Sequence, residues 1–583
     1  MDSNKSNPPS SDQGASLNDE SLKKMLHMID VSMGRCPADL VLKNCEYLNV
    51  FTDEYCKGDI AISGGKIAGI GNYSGIEEYD TTGYRILPGF IDGHIHLESS
   101  LVAPSEFSMA VLPHGTTTVI IDPHEIANVM GVDGIQYMIE STTNLPIDVF
   151  IMIPSCVPAT SEDESGAILD HTIIESLLTK PRVLGLAELM NYPGVVNGSV
   201  NDLLKIIIAQ KHNCPIDGHA PGLNGNSLNA YVASGIRSDH ECSTIEEAKE
   251  KLRLGQIIMI REGTAAHNLS SLVSLLQLPY SNHCAFCTDD KHPNDLINKG
   301  HIDYILKKSI SLGADPIQAI KASSYNISKH FNLNDRGAIA PGYIADLILI
   351  NDKYDVHRVY KNGTLMSENG KLINSITIPK VNEKLIDKTL NTMNLNELKK
   401  EDFQDENQKH GIIGIINNEL ITNDCGFASE IDVTKDILKI AVIERHHNTG
   451  HVGIGYINGY GLKVGAVATS VAHDSHNIIV VGADEKSMAL AANKVRAMAG
   501  GIAVVKNDEV IAEVPLPIAG LMSNESLTEV NEKLESALEA AKKLGVNEGV
   551  APFMTLSFMS LPVIPTLRIT TSGVFDVTKQ KYI

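Results

Sequence analysis

The sequence predicts an α/β protein built around a (β/α)8 barrel, with a small split β-domain and an additional C-terminal α/β domain. Three observations carry this. Between residues 87 and 336, eight short apolar runs alternate with helical segments, as a parallel barrel requires. Polar residues gather at the C-terminal end of each run, the end that forms the working face of such a barrel. The 583 residues also exceed what one hydrophobic core organises, so two or three domains are expected.

The elements follow in chain order. Residues 1–39 read as a disordered polar tail and lead-in, because MDSNKSNPPSSDQGASLNDE has no apolar stretch of the secretory kind. Residues 40–86 (LVLKNCEYLNV, GDIAISGGKIAGIG) alternate apolar and polar residues between turn signals, the texture of short strands. Residues 337–378 (GAIAPGYIADLILI, VHRVYKNGTLM) share it, so one small sheet assembled from both flanks of the barrel is expected. The barrel strands of 87–336 are GFIDGHIHLE, TTTVIIDPHE, DVFIMIPSC, RVLGLAEL, PIDGHAPG, IRSDHEC, QIIMIREG and HCAFCTDD. Helices follow them, among them TIEEAKEKLRLG and DLINKGHIDYILKKSISLG. Residues 379–402 are a polar linker with some helix. Residues 403–583 form the second α/β unit, with strands in DILKIAVIER, KVGAVATSV and NIIVVG and a helix in DEKSMALAANKVRAMAG.

Composition narrows the partners. Hydrophobic residues at 43% and charged residues at 20% are ordinary for a globular protein. A net charge of -23 repels nucleic-acid backbones and anionic membrane surfaces, so neither is expected as a partner. No apolar stretch is long enough for a bilayer span. Nine scattered cysteines, an odd number, make no disulfide framework, and a reducing cytoplasm is expected.

The chemistry begins at His94-Ile95-His96. On a strand, residues two apart share a face, so both imidazoles at the end of the first run can grip one ion. Glu188 ends the fourth run, His219 the fifth, His240 the sixth and Asp289 the eighth. A single buried histidine is more often a hydrogen-bonded core residue than a ligand, but four such residues at four strand mouths are hard to assign to packing. Imidazoles mixed with carboxylates suit Zn, Mn or Fe. Six ligands exceed the need of one catalytic ion with an open position, so two divalent ions bridged by a carboxylate are expected.

At these residues the sequence resembles the amidohydrolase superfamily, with HxH on strand one, a bridging residue on strand four, His on strands five and six, and Asp on strand eight. Glu188 stands where other members carry a carboxylated lysine. Longer segments, among them LPGFIDGHIHLESSLVAP, TTTVIIDPHEIANVMG, DGHAPGLNGNSLNAYVASGI, SVAHDSHNIIVVG and PLPIAGLMS, are similar to those of adenine deaminases. The resemblance runs over residues 40–575 and implies hydrolysis of a small purine base, adenine, to hypoxanthine and ammonia, with Mn or Fe as the metal and Zn as the alternative. It also implies a homo-oligomer.

On that reading an ion lowers the pKa of water toward 7, supplying hydroxide for C6. Asp289 accepts its proton, and the catalytic set is Asp289, Glu188 and Asp122. Glu188 is the first choice for protonating ring N1 while also bridging the metals, with Glu98, Glu125 and Glu262 in reserve; each of those three reads equally as a buried salt-bridge partner. Asp122, His124 and Glu125 close the second run as metal supports or an extra metal site, or as acidic residues at a helix N-terminus. His473 and His476 are expected to cap the site from the C-terminal domain.

Two motifs are rejected. His96-Leu97-Glu98 and Cys284-Ala285-Phe286-Cys287 imitate another zinc deaminase signature, but His283 replaces its proline, so both cysteines read as packing residues. The glycines at 450, 453 and 455 lack a phosphate-loop context. The competing functions are a cyclic-amide hydrolase of the dihydroorotase or hydantoinase kind, and a non-catalytic metal-binding protein.

Overall fold

The computed structural model describes residues 20–264, 266–374, 376–405, 408–417 and 419–583. The tail expected over residues 1–19 lies outside them. Glu20–Ser32, in the stretch read as lead-in, forms a helix.

The eight expected runs become the strands of one barrel: β1 (Phe90–Ile95), β2 (Thr116–Ile121), β3 (Asp148–Ile153), β4 (Val183–Leu189), β5 (Ile216–Gly218), β6 (Ser238–Asp239), β7 (Ile257–Arg261) and β8 (Cys284–Cys287). β1 to β5 pair in parallel, as do β6 to β8. Two seams close the ring. Asp289 N donates to His94 O at 2.9 Å and His96 N to Asp289 O at 2.9 Å, joining β8 to β1; Arg237 N donates to Ile216 O at 3.1 Å between β5 and β6.

The pleat sorts apolar side chains into two layers. Ile91, Ile120, Met152, Ala187, Met259, Ala285 and Cys287 fill the barrel interior. Ile258, Ile260, Cys284 and Phe286 face the helices outside. In β1 the register shifts between Asp92 and Ile95. That irregularity changes which residues face inward, so Ile91 can fill the interior while His94 and His96 join the cluster at the mouth.

The helix expected after β6 is Ile245–Arg253, its first turn capped by the Thr244 side chain accepting from Glu247 N. The single helix expected over 295–313 is two, Pro293–Asn298 and Ile302–Ser311. Gly300 between them has φ +96°, a conformation that ends a helical run.

Strands from both flanks of the barrel share one nine-stranded sheet, joined where Leu87 lies opposite Ile348. Past the barrel, Glu383–Leu390 is helical, and Phe403 is buried against the helix Glu485–Ala497. The C-terminal region carries an eight-stranded sheet. Its strands pair antiparallel apart from His410–Ile415, which runs parallel beside Val452–Asn458, so this sheet is not built as the barrel is. Among the described residues, no helix is long and apolar enough to cross a membrane, and all nine cysteines are free thiols.

Candidate metal centre and active site

Glu188, at the end of β4, is the hub. Its Oε1 faces His96 Nε2 at 3.3 Å, His94 Nε2 at 3.9 Å and His124 Nδ1 at 3.5 Å. Its Oε2 faces His219 Nδ1 at 2.7 Å and His240 Nε2 at 3.3 Å. Asp289 Oδ1 lies 3.4 Å from His94 Nε2 and 3.2 Å from His96 Nε2. Ligand atoms about 2.1 Å from a shared tetrahedral ion stand about 3.4 Å apart. The spacings are those of atoms arranged around cations, and two groupings, His94–His96–Asp289 and His94–Glu188–His240, share His94. His94 Nε2 is buried with no hydrogen-bond partner among the described residues, as a nitrogen reserved for a metal would be.

The six sequence-derived ligand candidates therefore converge, and further side chains join them. His96 Nδ1–H donates to the Asp122 carbonyl at 3.0 Å, which fixes the tautomer and turns Nε2 toward Glu188. His124 Nδ1 is 3.3 Å from Asp122 Oδ2, and together with His96 and Glu188 these make a third close grouping. Glu241 was missed by sequence reasoning: its Oε1 lies 3.4 Å from His240 Nε2 and 3.7 Å from His219 Nδ1. Strand alternation would set it on the opposite face from His240, but β6 ends at Asp239, and the alternation ends with it. Arg261 was missed too, although it shares strand parity with the inward-facing Ile257 and Met259.

Beneath the ligands, Asp92 ties β1 to β8. It accepts from Thr288 Oγ1 at 2.5 Å and Thr288 N at 3.1 Å, with His301 Nε2 at 3.1 Å.

Burial alone would strip charge from this cluster, yet the opposite holds. Glu188 is buried, but His219, His240 and His96 hold its carboxyl well below the usual range. Asp289 is likewise buried and held well below it by Arg261, His94 and His96. The same carboxylates lift His96 well above its ordinary value and His240 to about 9. Burial lowers His124, but Asp122 and Asp474 bring it up to about 10. The mouth thus sets its carboxylates against imidazoles that those same carboxylates raise.

The remaining candidates separate. Glu98 Oε1 accepts from Ile126 N at 3.2 Å, and burial raises its carboxyl. Glu125 lies 3.3 Å from His473 Nδ1, and burial together with neighbouring Glu98 raises its carboxyl well above the usual range. His476 groups with these two at the seam with the C-terminal region. Glu262 points away: its Oε1 accepts from Lys308 at 2.5 Å, the salt-bridge reading. Cys284 and Cys287 are buried, and burial raises both thiols, Cys284 to about 12. Asp289 has φ +60° and stands beyond β8, so strand alternation does not decide between it and Asp290. Asp290 accepts from the Ser99 hydroxyl and lines the neighbouring cavity.

That cavity, of about 790 Å3, opens between the barrel mouth and the C-terminal region. Glu241, Arg261 and Asp290 line it from the barrel, and His473, Phe553 and Phe558 from the other side. The His473 ring stacks on Phe558 at 4.6 Å.

A (β/α)8 barrel whose mouth gathers imidazoles and carboxylates around cation-sized gaps is the design of a metal-dependent hydrolase, and residues 85–366 match the model of the Amidohydrolase family. Residues 417–581 match the Adenine deaminase C-terminal domain. Adenine deaminase 2 of Carboxydothermus hydrogenoformans is 44% identical over 568 residues, covering 96% of this chain and 98% of that protein. The adenine deaminase of Kosmotoga olearia is 45% identical over 572 residues, with 96% and 98% covered. The chain belongs to the adenine deaminase family.

Proposed function

We propose that the chain hydrolyses adenine to hypoxanthine and ammonia. The observation that carries this is similarity to proteins named adenine deaminase over nearly the whole length, through both the barrel and the C-terminal region. The donor set fits two divalent cations, which His94, His96, Asp289, His219, His240 and Glu188 would hold; Mn or Fe is the expected metal and Zn the alternative. When bound, they make water acidic enough to supply hydroxide near neutral pH.

The chain's own groups handle the protons. As water adds to C6, Glu188 carries one proton to ring N1. Asp289 accepts the second from the new hydroxyl and returns it to the amine, which leaves as ammonia. Asp122 acts through His96, whose ring it orients with its carbonyl. Glu98 and Glu125 remain the reserve acids. The ring sits in the two-sided cavity, with the His473–Phe558 stack as its apolar wall. The protein works as a cytoplasmic homo-oligomer.

The test is ammonia release from adenine by Mn-loaded protein, with adenosine and dihydroorotate alongside. Adenine turnover with little from adenosine is expected. Robust turnover of dihydroorotate with none of adenine would replace this reading by the cyclic-amide one.

A further inference from the structure

Asp289 meets two kinds of neighbour, one at each carboxylate oxygen. Oδ1 faces His94 and His96 at 3.4 and 3.2 Å. Oδ2 accepts from Arg261 Nη1 at 2.5 Å. The same guanidinium donates to Glu241 through Nη1, and through Nη2 to Oε2 at 3.1 Å. Arg261 thus spans the mouth from the eighth strand to the segment just past the sixth.

Its backbone is anchored as firmly as its side chain. Arg261 N donates to Asn268 Oδ1 at 2.8 Å. Asn268 Nδ2 donates in turn to the carbonyls of His240 at 3.1 Å and Cys242 at 2.9 Å. The residue that pins Asp289 is therefore tied to the chain that carries His240 and Glu241.

We infer that Arg261 is the positioning residue for the catalytic carboxylate, holding one oxygen of Asp289 so that the other alone faces the imidazoles; this rests on Asp289 being the proton acceptor. A carboxylate with nothing on Oδ2 can rotate, so that neither oxygen keeps its place against His94 and His96. A lysine replaces the clamp only in part, because a single ammonium lacks the second fork nitrogen that holds Glu241 Oε2 while Nη1 reaches Asp289.

The experiment uses Mn-loaded R261A, R261K and D289N, and the R261A/D289N double variant. R261A should lower kcat by about 10²-fold, the scale of a small misplacement at a reacting centre. R261K should be impaired at least about tenfold, with KM within about threefold in both and metal per chain as in the unmodified protein. Because Arg261 lines the cavity, added guanidinium should partly restore R261A. In the D289N background, R261A should cost less than about twofold, since the residue it positions no longer acts.

Full activity of R261A, loss of metal from it, or an undiminished penalty in the D289N background would overturn the inference. If D289N itself kept full turnover, the reading of Asp289 would fail. D289N impaired with R261A fully active would sink the clamp alone.

Discussion

The barrel mouth and the seam beneath the C-terminal region are both built from buried histidines and carboxylates, yet they hold opposite charge states. At the mouth, Glu188 and Asp289 stay ionised despite burial, while His96 and His240 are lifted. At the seam, burial and neighbouring Glu98 raise Glu125 well above the carboxylate range. Burial pulls His473 down, and His476 well down. The difference lies in the partners. Each imidazole at the mouth faces an ionised carboxylate within about 3–4 Å, and Arg261 steadies two of those carboxylates. At the seam the nearby His96 and His124 lower Glu125 too little to offset burial, Glu98 and Asp290, and the same two imidazoles help to depress His473. His476 Nδ1 also accepts from Ala472 N at 3.2 Å, which places the ring proton on Nε2 and withdraws that nitrogen as a ligand. Residue type alone does not set the charge of a buried histidine–carboxylate cluster; the partners around each group do.

The largest test of this comparison is at Asp289. D289N keeps an oxygen for a metal but cannot accept a proton, so kcat should fall at least about 10²-fold with metal content retained. D290N should cost less, since that carboxylate accepts from Ser99 and lines the cavity. Measuring kcat beside metal content for both decides it: near-normal D289N with inactive D290N would move the base to Asp290.

An intermediate effect concerns pH. Cations binding at the mouth must displace protons from His96 and from His240, whose value is about 9. Mn affinity should therefore rise as pH increases toward 9, and binding at pH 7 should release protons. The sign for the ion-free protein is opposite. With a folded value raised above the unfolded one of about 6.5, His240 contributes stability that is full below pH 6.5 and is lost as pH rises through 9. Calorimetric titration in buffers of different ionisation enthalpy gives the proton count; a count of zero at pH 7 would mean that the mouth holds no exchangeable protons.

The smallest effect belongs to the seam. H476A should leave metal per chain unchanged and kcat within about tenfold, while lowering stability by about 1–3 kcal/mol for a buried polar vacancy. Loss of a metal equivalent from H476A would erase the distinction between the two regions.

Some of this was legible in the sequence and some was not, for identifiable reasons. The barrel strands were readable because each is a short apolar run with polar residues at one end. HIH was readable because residues two apart on an extended chain share a face, a relation that His94 and His96 keep although His96 lies one residue past β1. Arg261 could have been found the same way, from its parity with Ile257 and Met259. Glu241 could not, because β6 is only two residues long and alternation cannot be carried past its end. The break near Gly300 was hidden for a related reason: the apolar periodicity runs across it, and the glycine reveals itself only through its φ.

The sequence by itself determined which residues are available and in what local order: eight strand-end clusters, a β1 carrying two imidazoles, and a carboxylate in place of lysine at 188. Tertiary structure alone decided which of these face one another and in what charge state. Glu188 becomes the hub because curling the sheet into a closed ring brings the ends of β1, β4, β5, β6 and β8 within a few ångströms. Protonation depends on burial and on neighbours distant in sequence, and both exist only once the ring is closed.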